Sequence, residues 1–221
     1  CFALYKAVVN AGYTPVYLDV EAGDLNFSPE ALRKALGANA NIKAVVVQNT
    51  LGYPAATGEI SKVCEEKQVL LIEDLAHSVG VDYPGPSEAG KLGDFVVLSF
   101  SQDKIIDAVS GGALVIRNTK YYIRAPYPIT PLSFGRQLIE RVYPSLTWKI
   151  RTTYPIWIGK VIHAISKKLR LLSEPMGKFE AGKYYGLPNW NSYLTRRSFE
   201  NLSTVIQHRH KIAHIYAGKI D

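Results

Sequence analysis

The first half of the chain alternates short apolar runs, rich in β-branched residues, with stretches of helical period. Such alternation is typical of a largely parallel sheet that is covered by helices. The predicted strands lie at 15–19, 44–48, 69–73, 95–100 and 113–117. In open sheets of this kind ligands bind beyond the carboxyl ends of the strands, so we expect the chemistry just after these runs.

The strongest helix signal stands between the first two strands. Ser28 can accept a hydrogen bond from a free backbone amide, Pro29 suits the first helical position, and Glu30 complements the helix dipole. We predict a second helix at about 58–67 and a longer one from about residue 190 to the end of the chain. The sequence therefore predicts an α/β fold.

Charge separates the two halves of the chain. Residues 1–120 carry 10 basic and 14 acidic side chains, whereas residues 121–221 carry 16 basic and 5 acidic ones.

Hydrophobic residues make up 47% of the chain and charged residues 20%, which excludes a disordered or collagen-like protein. The two cysteines provide neither a disulfide framework nor a four-cysteine zinc site, which favours a reducing, cytoplasmic location. Because the chain opens on Cys1 and has its sole methionine at Met176, we expect it to be part of a longer protein.

In the basic half, prolines separate aromatic and basic stretches. We predict that 121–180 is an insert or interdomain segment between one domain at 1–120 and the start of a second at 181–221. Within the insert, 155–172 has an apolar and a basic helical face, which predicts a basic amphipathic helix. This helix would either contact a membrane surface peripherally or pack on a partner subunit, and its bases could equally meet a substrate diphosphate. The basic residues match no nucleic-acid-reading motif, so we expect no nucleic-acid partner.

Two segments place reactive side chains just after predicted strands. In IEDLAHSVG, Asp74 ends a strand and His77 follows it within a turn. In FVVLSFSQDK, Ser99 lies near the end of a strand and Lys104 follows it. A weakly solvated lysine can attack an aldehyde to form a Schiff base. The residues alone leave open that Asp74 only caps the next turn and that Lys104 is an ordinary surface lysine.

Together these residues fit the needs of one cofactor. Pyridoxal phosphate requires a lysine for its aldehyde, a carboxylate for its ring nitrogen, and hydroxyls or amides for its phosphate. The chain resembles the DegT-type sugar aminotransferases, which have the aspartate aminotransferase-like fold. The matching segments are AGYTPVYLDV (11–20), VVVQNTLGYPAATGEI (45–60), IEDLAHSVG (72–80), SFSQDK (99–104) with SGGALVI (110–116), and RHKIAHIY (209–216), the last being similar to the helix that opens the smaller domain.

The resemblance implies roles for five residues. Lys104 would be the Schiff-base lysine and the general base, Asp74 the partner of the ring nitrogen, and Ser99 a phosphate ligand. His77 would lie beside the cofactor ring and Ala76 near its face, and no metal site is expected. The implied fold is a three-layer large domain with a mostly parallel mixed sheet, followed by the start of a small C-terminal domain. A related class carries histidine in place of this lysine and performs dehydration, so Lys104 favours transamination.

The resemblance also implies a reaction and partners. We expect transfer of an amino group, with glutamate as donor, to a nucleotide-linked keto sugar for cell-surface polysaccharides or related amino sugars. A homodimer is expected, with Lys183 and Asn189 as candidates for reaching the partner subunit, and the cofactor's phosphate loop is expected before residue 1. The alternatives are a non-catalytic scaffold with the same fold, regulatory or membrane-associated, and a sulfur-removing lyase. Neither Cys1 nor Cys64 stands in a segment typical of a lyase's catalytic loop.

Overall fold

A computed structural model describes four ranges of the chain, 2–81, 89–121, 129–172 and 183–219. Parts of the predicted 121–180 insert, as well as Cys1 and Met176, lie outside the described residues. Among the helices of the described ranges, none combines the length and apolar composition that crossing a bilayer requires.

The main sheet of the described residues has four strands in chain order, β1 (Ala44–Val47), β2 (Leu70–Asp74), β3 (Phe95–Ser99) and β4 (Gly112–Ile116). Strands β1, β2 and β3 run parallel, and β4 runs antiparallel to β3. The mostly parallel mixed sheet predicted from the sequence is therefore confirmed, and four of the five predicted strands are present to within one residue at each end.

The remaining prediction, a strand at 15–19, is wrong. This segment follows helix α1 (Phe2–Asn10) as irregular chain, and Val16 and Tyr17 are exposed. The backbone amide of Val20 donates to the Asp19 carboxylate (2.9 Å). A strand needs a ladder partner, and none of the described segments pairs with this one.

Helices α2 (Pro29–Ala38) and α3 (Thr57–Lys67) cover one face of the sheet. The predicted start of α2 is confirmed, because Ser28 Oγ accepts a hydrogen bond from the backbone amide of Ala31 (3.2 Å). The two helices pack on β1 and β2 around a buried apolar cluster. Its members include Leu32, Leu36, Val45, Val47, Ile60, Val63, Cys64 and Leu71.

The predicted helix from residue 190 is two helices, α6 (Asn189–Glu200) and α7 (Leu202–Ala217). Asn201 interrupts them, and both its backbone amide (3.2 Å) and its side-chain amide (2.9 Å) donate to the carbonyl of Arg197. A side chain that competes for a helical carbonyl in this way favours a break. Both helices contribute apolar side chains to a second buried cluster next to β2 and β3. That cluster comprises Leu75, Val79, Val96, Phe100, Ile106 and Ala108, with Leu187, Leu194 and Leu202 packed against it.

The basic half also contains a helical hairpin of α4 (Phe134–Thr153) and α5 (Ile158–Lys168). Helix α5 confirms the amphipathic helix predicted at 155–172, but it begins later because Trp157 is left-handed (φ +67°). Helix α4 was missed, since Pro144 lies in its interior and proline normally ends a helix. Strand β5 (Ile129–Thr130), which precedes α4 in the chain, pairs in a short parallel ladder with β6 (Tyr184–Tyr185).

Candidate active site at the carboxyl edge of the sheet

Three neighbouring parallel strands end at the same edge of the sheet and bring polar side chains there. Gln48 follows β1, Asp74 is the last residue of β2, and Ser99 is the last residue of β3. In the register Asp74 stands opposite Val97, so Ser99 lies two residues further along β3 in the direction of this edge. Asp74 and Ser99, both predicted from the sequence as site residues, thus lie at the same carboxyl edge.

The Asp74 carboxylate is half-buried and held at both oxygens. Gln48 Nε2 donates to Asp74 Oδ2 (2.8 Å), and the backbone amide of Ala76 donates to Asp74 Oδ1 (3.0 Å). The turn-capping role that the sequence left open is therefore present. The amide of Ala76 occupies one carboxylate oxygen in this role, and Gln48 holds the other oxygen. Residue His77 follows in the same turn with an exposed side chain.

Two hydroxyl groups mark the end of β3. Ser99 Oγ and Ser101 Oγ lie 3.0 Å apart in a hydrogen bond, and both residues are half-buried. Hydroxyls of this kind can donate to phosphate oxygens, and they stand one strand away from the Asp74 carboxylate. Ser101 therefore joins Ser99 as a candidate phosphate ligand.

Lys104 lies in a closed loop between β3 and β4, which we call the lysine loop (residues 100–111). Two hydrogen bonds of 2.9 Å close its base, from the Phe100 amide to the Gly111 carbonyl and from the Ala108 amide to the Phe100 carbonyl. The amide of Lys104 donates to the Ser101 carbonyl (3.3 Å), and the lysine side chain is half-buried. The loop thus starts from the same edge as Asp74 and Ser99 and holds its lysine in a defined turn.

The lysine loop contains a strained residue. Val109 has φ +70°, a left-handed conformation that is rare for a β-branched side chain. The Asp107 carboxylate accepts a hydrogen bond from the Val109 amide (2.8 Å) and so holds this conformation. Strain of this kind persists only where the surroundings determine it, and it clusters at functional sites.

Helices α4 and α6 supply those surroundings. Asn191 on α6, which is 1% exposed, donates its side-chain amide to the Ala108 carbonyl (2.8 Å) and to Glu140 Oε2 on α4 (3.0 Å). Glu140 is buried and also pairs with Arg136 (3.5 Å). The hydroxyl of Tyr143 donates to Gln102 Oε1 in the loop, and burial raises the pKa of Tyr143. Sequence reasoning missed these residues because they lie far along the chain from the loop.

A second buried carboxylate next to the site has a structural role. Glu73 is fully buried, and its two oxygens accept from the backbone amides of Gly90 (2.8 Å), Leu92 (2.8 Å) and Gly93 (2.5 Å). This arrangement ties the chain before β3 to the end of β2. Of the adjacent acids, Asp74 therefore faces the site and Glu73 holds the chain that leads into it.

The donor set suits the cofactor expected from the sequence. An oriented carboxylate, a pair of hydroxyls and a lysine on a braced loop all belong to one sheet edge. These are the groups that a pyridine nitrogen, a phosphate and an aldehyde require. The residues present therefore fit pyridoxal phosphate.

Comparison with known sequences agrees with this chemistry. The sequence model of the DegT/DnrJ/EryC1/StrS aminotransferase family matches residues 2–135. The chain belongs to this family. The match covers the four strands of the main sheet, the turn after Asp74 and the lysine loop, and it extends to the first residues of α4.

Individual relatives match shorter parts of the chain. The "Putative pyridoxal phosphate-dependent aminotransferase EpsN" of Bacillus subtilis (strain 168) is 40% identical over 105 residues, which are 46% of this chain and 27% of that protein. The dTDP-4-dehydro-2,6-dideoxy-D-glucose 3-dehydratase of Saccharopolyspora spinosa is 33% identical over 107 residues, which are 48% of this chain and 22% of that protein. The chain thus spans about a quarter of the length of these curated relatives.

Among solved structures, Helicobacter pylori PseC, an aminotransferase involved in the biosynthesis of pseudoaminic acid, is similar to 94% of this chain over 46% of its own length. The TM-score is 0.59 and the sequence identity is 19%, so this likeness concerns the fold alone. It extends beyond residue 135 and so includes segments of the basic half.

Proposed function

We propose that the protein is a pyridoxal phosphate-dependent aminotransferase that transfers an amino group, with glutamate as donor, to a nucleotide-linked keto sugar. The amino sugar would serve cell-surface polysaccharides or related products. The observation that carries this proposal is the gathering of Asp74, Ser99 and the Lys104 loop at one edge of the sheet. Membership of the aminotransferase family supports it.

When bound, pyridoxal phosphate supplies an aldehyde and a ring that accepts electrons from the reacting carbon. Asp74 would hold the protonated ring nitrogen, and Ser99 with Ser101 would hold the phosphate. Ala76 and His77 would line the ring, as the family resemblance implies. The amine of Lys104 would hold the aldehyde in the resting enzyme and carry the proton that leaves the substrate carbon. The backbone hydrogen bonds that hold the lysine loop in its turn support this role.

The test is to load the protein, expressed with whatever flanking sequence its gene encodes, with pyridoxal phosphate, reduce it with borohydride and map the modified peptide. We expect modification of Lys104, no modification in Lys104→Ala, and an unchanged result in Lys62→Ala, which removes an exposed lysine of α3. Modification scattered over surface lysines would contradict the proposal. Loss of amine transfer in Lys104→Ala supports an enzyme, whereas an unchanged biological role without Lys104 supports the scaffold alternative.

Dehydration is the second candidate, because one relative is named as a sugar 3-dehydratase. The two reactions differ in what happens to nitrogen. With ¹⁵N-glutamate and a nucleotide-linked keto sugar, a transaminase places ¹⁵N on the sugar, whereas a dehydratase releases water and leaves the label on glutamate. Lys104 favours the first outcome, since the resemblance implies histidine at this position in the dehydrating class.

We further propose a cytoplasmic homodimer whose sites are completed by the partner subunit. Lys183, just before β6, and Asn189, the first residue of α6, are both exposed and are the candidates for this contact. The division into a large domain at 1–120, an insert at 121–180 and a small-domain start at 181–221 belongs to the same proposal. Light scattering of the purified protein tests the dimer. A monomer that is fully active at every concentration would overturn it.

A further inference from the structure

The α4–α5 hairpin turns large apolar side chains toward solvent. On α4 these residues follow at helical spacing on one face, and a matching row runs along α5. Both rows lie at the surface although they have the pattern that normally faces a core. The exposed residues are Phe134 (77%), Leu138 (50%), Val142 (48%) and Trp148 (64%) on α4, and Ile158 (52%), Val161 (58%), Ile165 (53%) and Leu169 (60%) on and just after α5.

The buried residues on the α5 side of the hairpin are small instead. Gly159 and Ser166 are the buried residues of α5, and they stand one heptad apart on a face separate from its apolar row. A Cβ at Gly159 would lie 2.2 Å from the Ile150 carbonyl oxygen, which shows how closely the two helices approach. The apolar rows therefore stay exposed although the two helices pack against each other.

The charge of the hairpin has one sign at the surface. Residues 134–170 contain eight lysines and arginines and one acid, Glu140, for a formal net charge of +7. Glu140 is buried and bound by Arg136 and Asn191. All exposed charged residues of this segment are therefore basic. They are Arg141, Lys149, Arg151, Lys167, Lys168 and Arg170.

The turn between the helices carries aromatic residues next to a cation. Tyr154, Ile156 and Trp157 are 46%, 63% and 68% exposed. Lys160 Nζ lies 3.6 Å from the centroid of the Trp157 ring and 5.6 Å from that of Tyr154. Tryptophan and tyrosine with a nearby ammonium group are typical of the boundary between lipid headgroups and acyl chains.

We propose that the α4–α5 hairpin binds the surface of an anionic lipid bilayer. Trp157 and Ile156 at the turn enter the headgroup boundary together with the apolar rows, and the basic side chains face the lipid phosphates. A second copy of the same face is a poorer occupant, because two surfaces of net charge +7 repel each other. The inference is independent of the proposed catalytic function, since none of the proposed cofactor-binding residues lies in the hairpin.

The test is sedimentation of the full-length protein with vesicles of phosphatidylcholine alone or mixed with an equal amount of phosphatidylglycerol. We expect binding to the mixed vesicles, much weaker binding to phosphatidylcholine, and weakening as salt rises, because salt screens surface charge. The triple variant Lys167→Gln, Lys168→Gln, Arg170→Gln should bind roughly a hundredfold more weakly, since each base near the surface contributes about a factor of five.

The matched control is Lys34→Gln, Lys62→Gln, Lys67→Gln, which makes the same change in charge at exposed residues of α2 and α3 and should bind like the unmodified protein. A second variant, Ile156→Ala with Trp157→Ala, should lower binding by about tenfold or more through lost apolar contact. Circular dichroism checks that each variant is folded. Equal binding to both vesicle types, equal losses in the hairpin and control variants, or dissociation of a dimer without any change in vesicle binding would overturn the proposal.

Discussion

Replacement of Asn191 by alanine should destabilise the fold through the lysine loop. The side-chain amide donates two buried hydrogen bonds, to the Ala108 carbonyl (2.8 Å) and to Glu140 (3.0 Å). A buried acceptor that loses its donor costs about 1–3 kcal/mol. Glu140 keeps its contact with Arg136, so its share should be near the lower end of that range. We therefore expect the free energy of unfolding to fall by about 2–4 kcal/mol.

Urea unfolding measures this loss, and Asn201→Ala is the matched control. Asn201 also donates its side-chain amide to a backbone carbonyl, that of Arg197 (2.9 Å), but this hydrogen bond is exposed. The control should lose less than about 1 kcal/mol, because water replaces an exposed partner. The reasoning would be refuted if Asn191→Ala lost no more than Asn201→Ala. A second refutation would be a double-mutant cycle with Glu140→Ala that gives no coupling between the two residues.

Three further predictions concern buried groups elsewhere in the fold. Glu73→Gln places an N–H group against backbone amides and should lower the free energy of unfolding by more than about 3 kcal/mol. The control Glu66→Gln changes an exposed residue and should alter the free energy of unfolding by less than about 0.5 kcal/mol. Urea unfolding compares the two variants. Burial raises the pKa of Cys64 from 9.0 to about 11, so iodoacetamide should label it only after unfolding, and the free energy of unfolding should fall as pH rises through this interval. Rapid labelling of the native protein at pH about 8 would contradict this. Gly159→Ala should cost about 1–3 kcal/mol in the same unfolding assay, because its Cβ would meet the Ile150 carbonyl.

The elements that the sequence predicted well have local causes. Helix α2 starts where Ser28 and Pro29 require, because capping depends on residues within one turn. Strands β1 to β3 are recognisable because a strand buried in a parallel sheet is an apolar run bounded by polar residues. Asp74, Ser99 and Lys104 could be selected as candidates for a related reason, since the end of such a run marks the ligand edge of the sheet.

The elements that the sequence missed depend on contacts between distant segments. Pro144 argues against a helix locally, but α4 forms because its other residues pack and bond on both sides of the proline. Gln48 has no local signal that would relate it to Asp74, 26 residues away, and Asn191 reaches the lysine loop across 83 residues. Only the fold shows that these amides position the site.

Helix α4 shows that an amphipathic pattern alone does not predict which face of a helix packs against the protein. One face carries Phe134, Leu138 and Trp148 toward solvent, and the opposite face carries Glu140 and Tyr143 toward the protein. The polar side chains of the inward face hydrogen-bond Gln102 of the lysine loop and Asn191 of α6. These hydrogen bonds, together with buried Ile150, favour the inward orientation of this face, and the apolar face lies at the surface. The same helix thus joins the candidate catalytic loop to the face that we propose binds lipid.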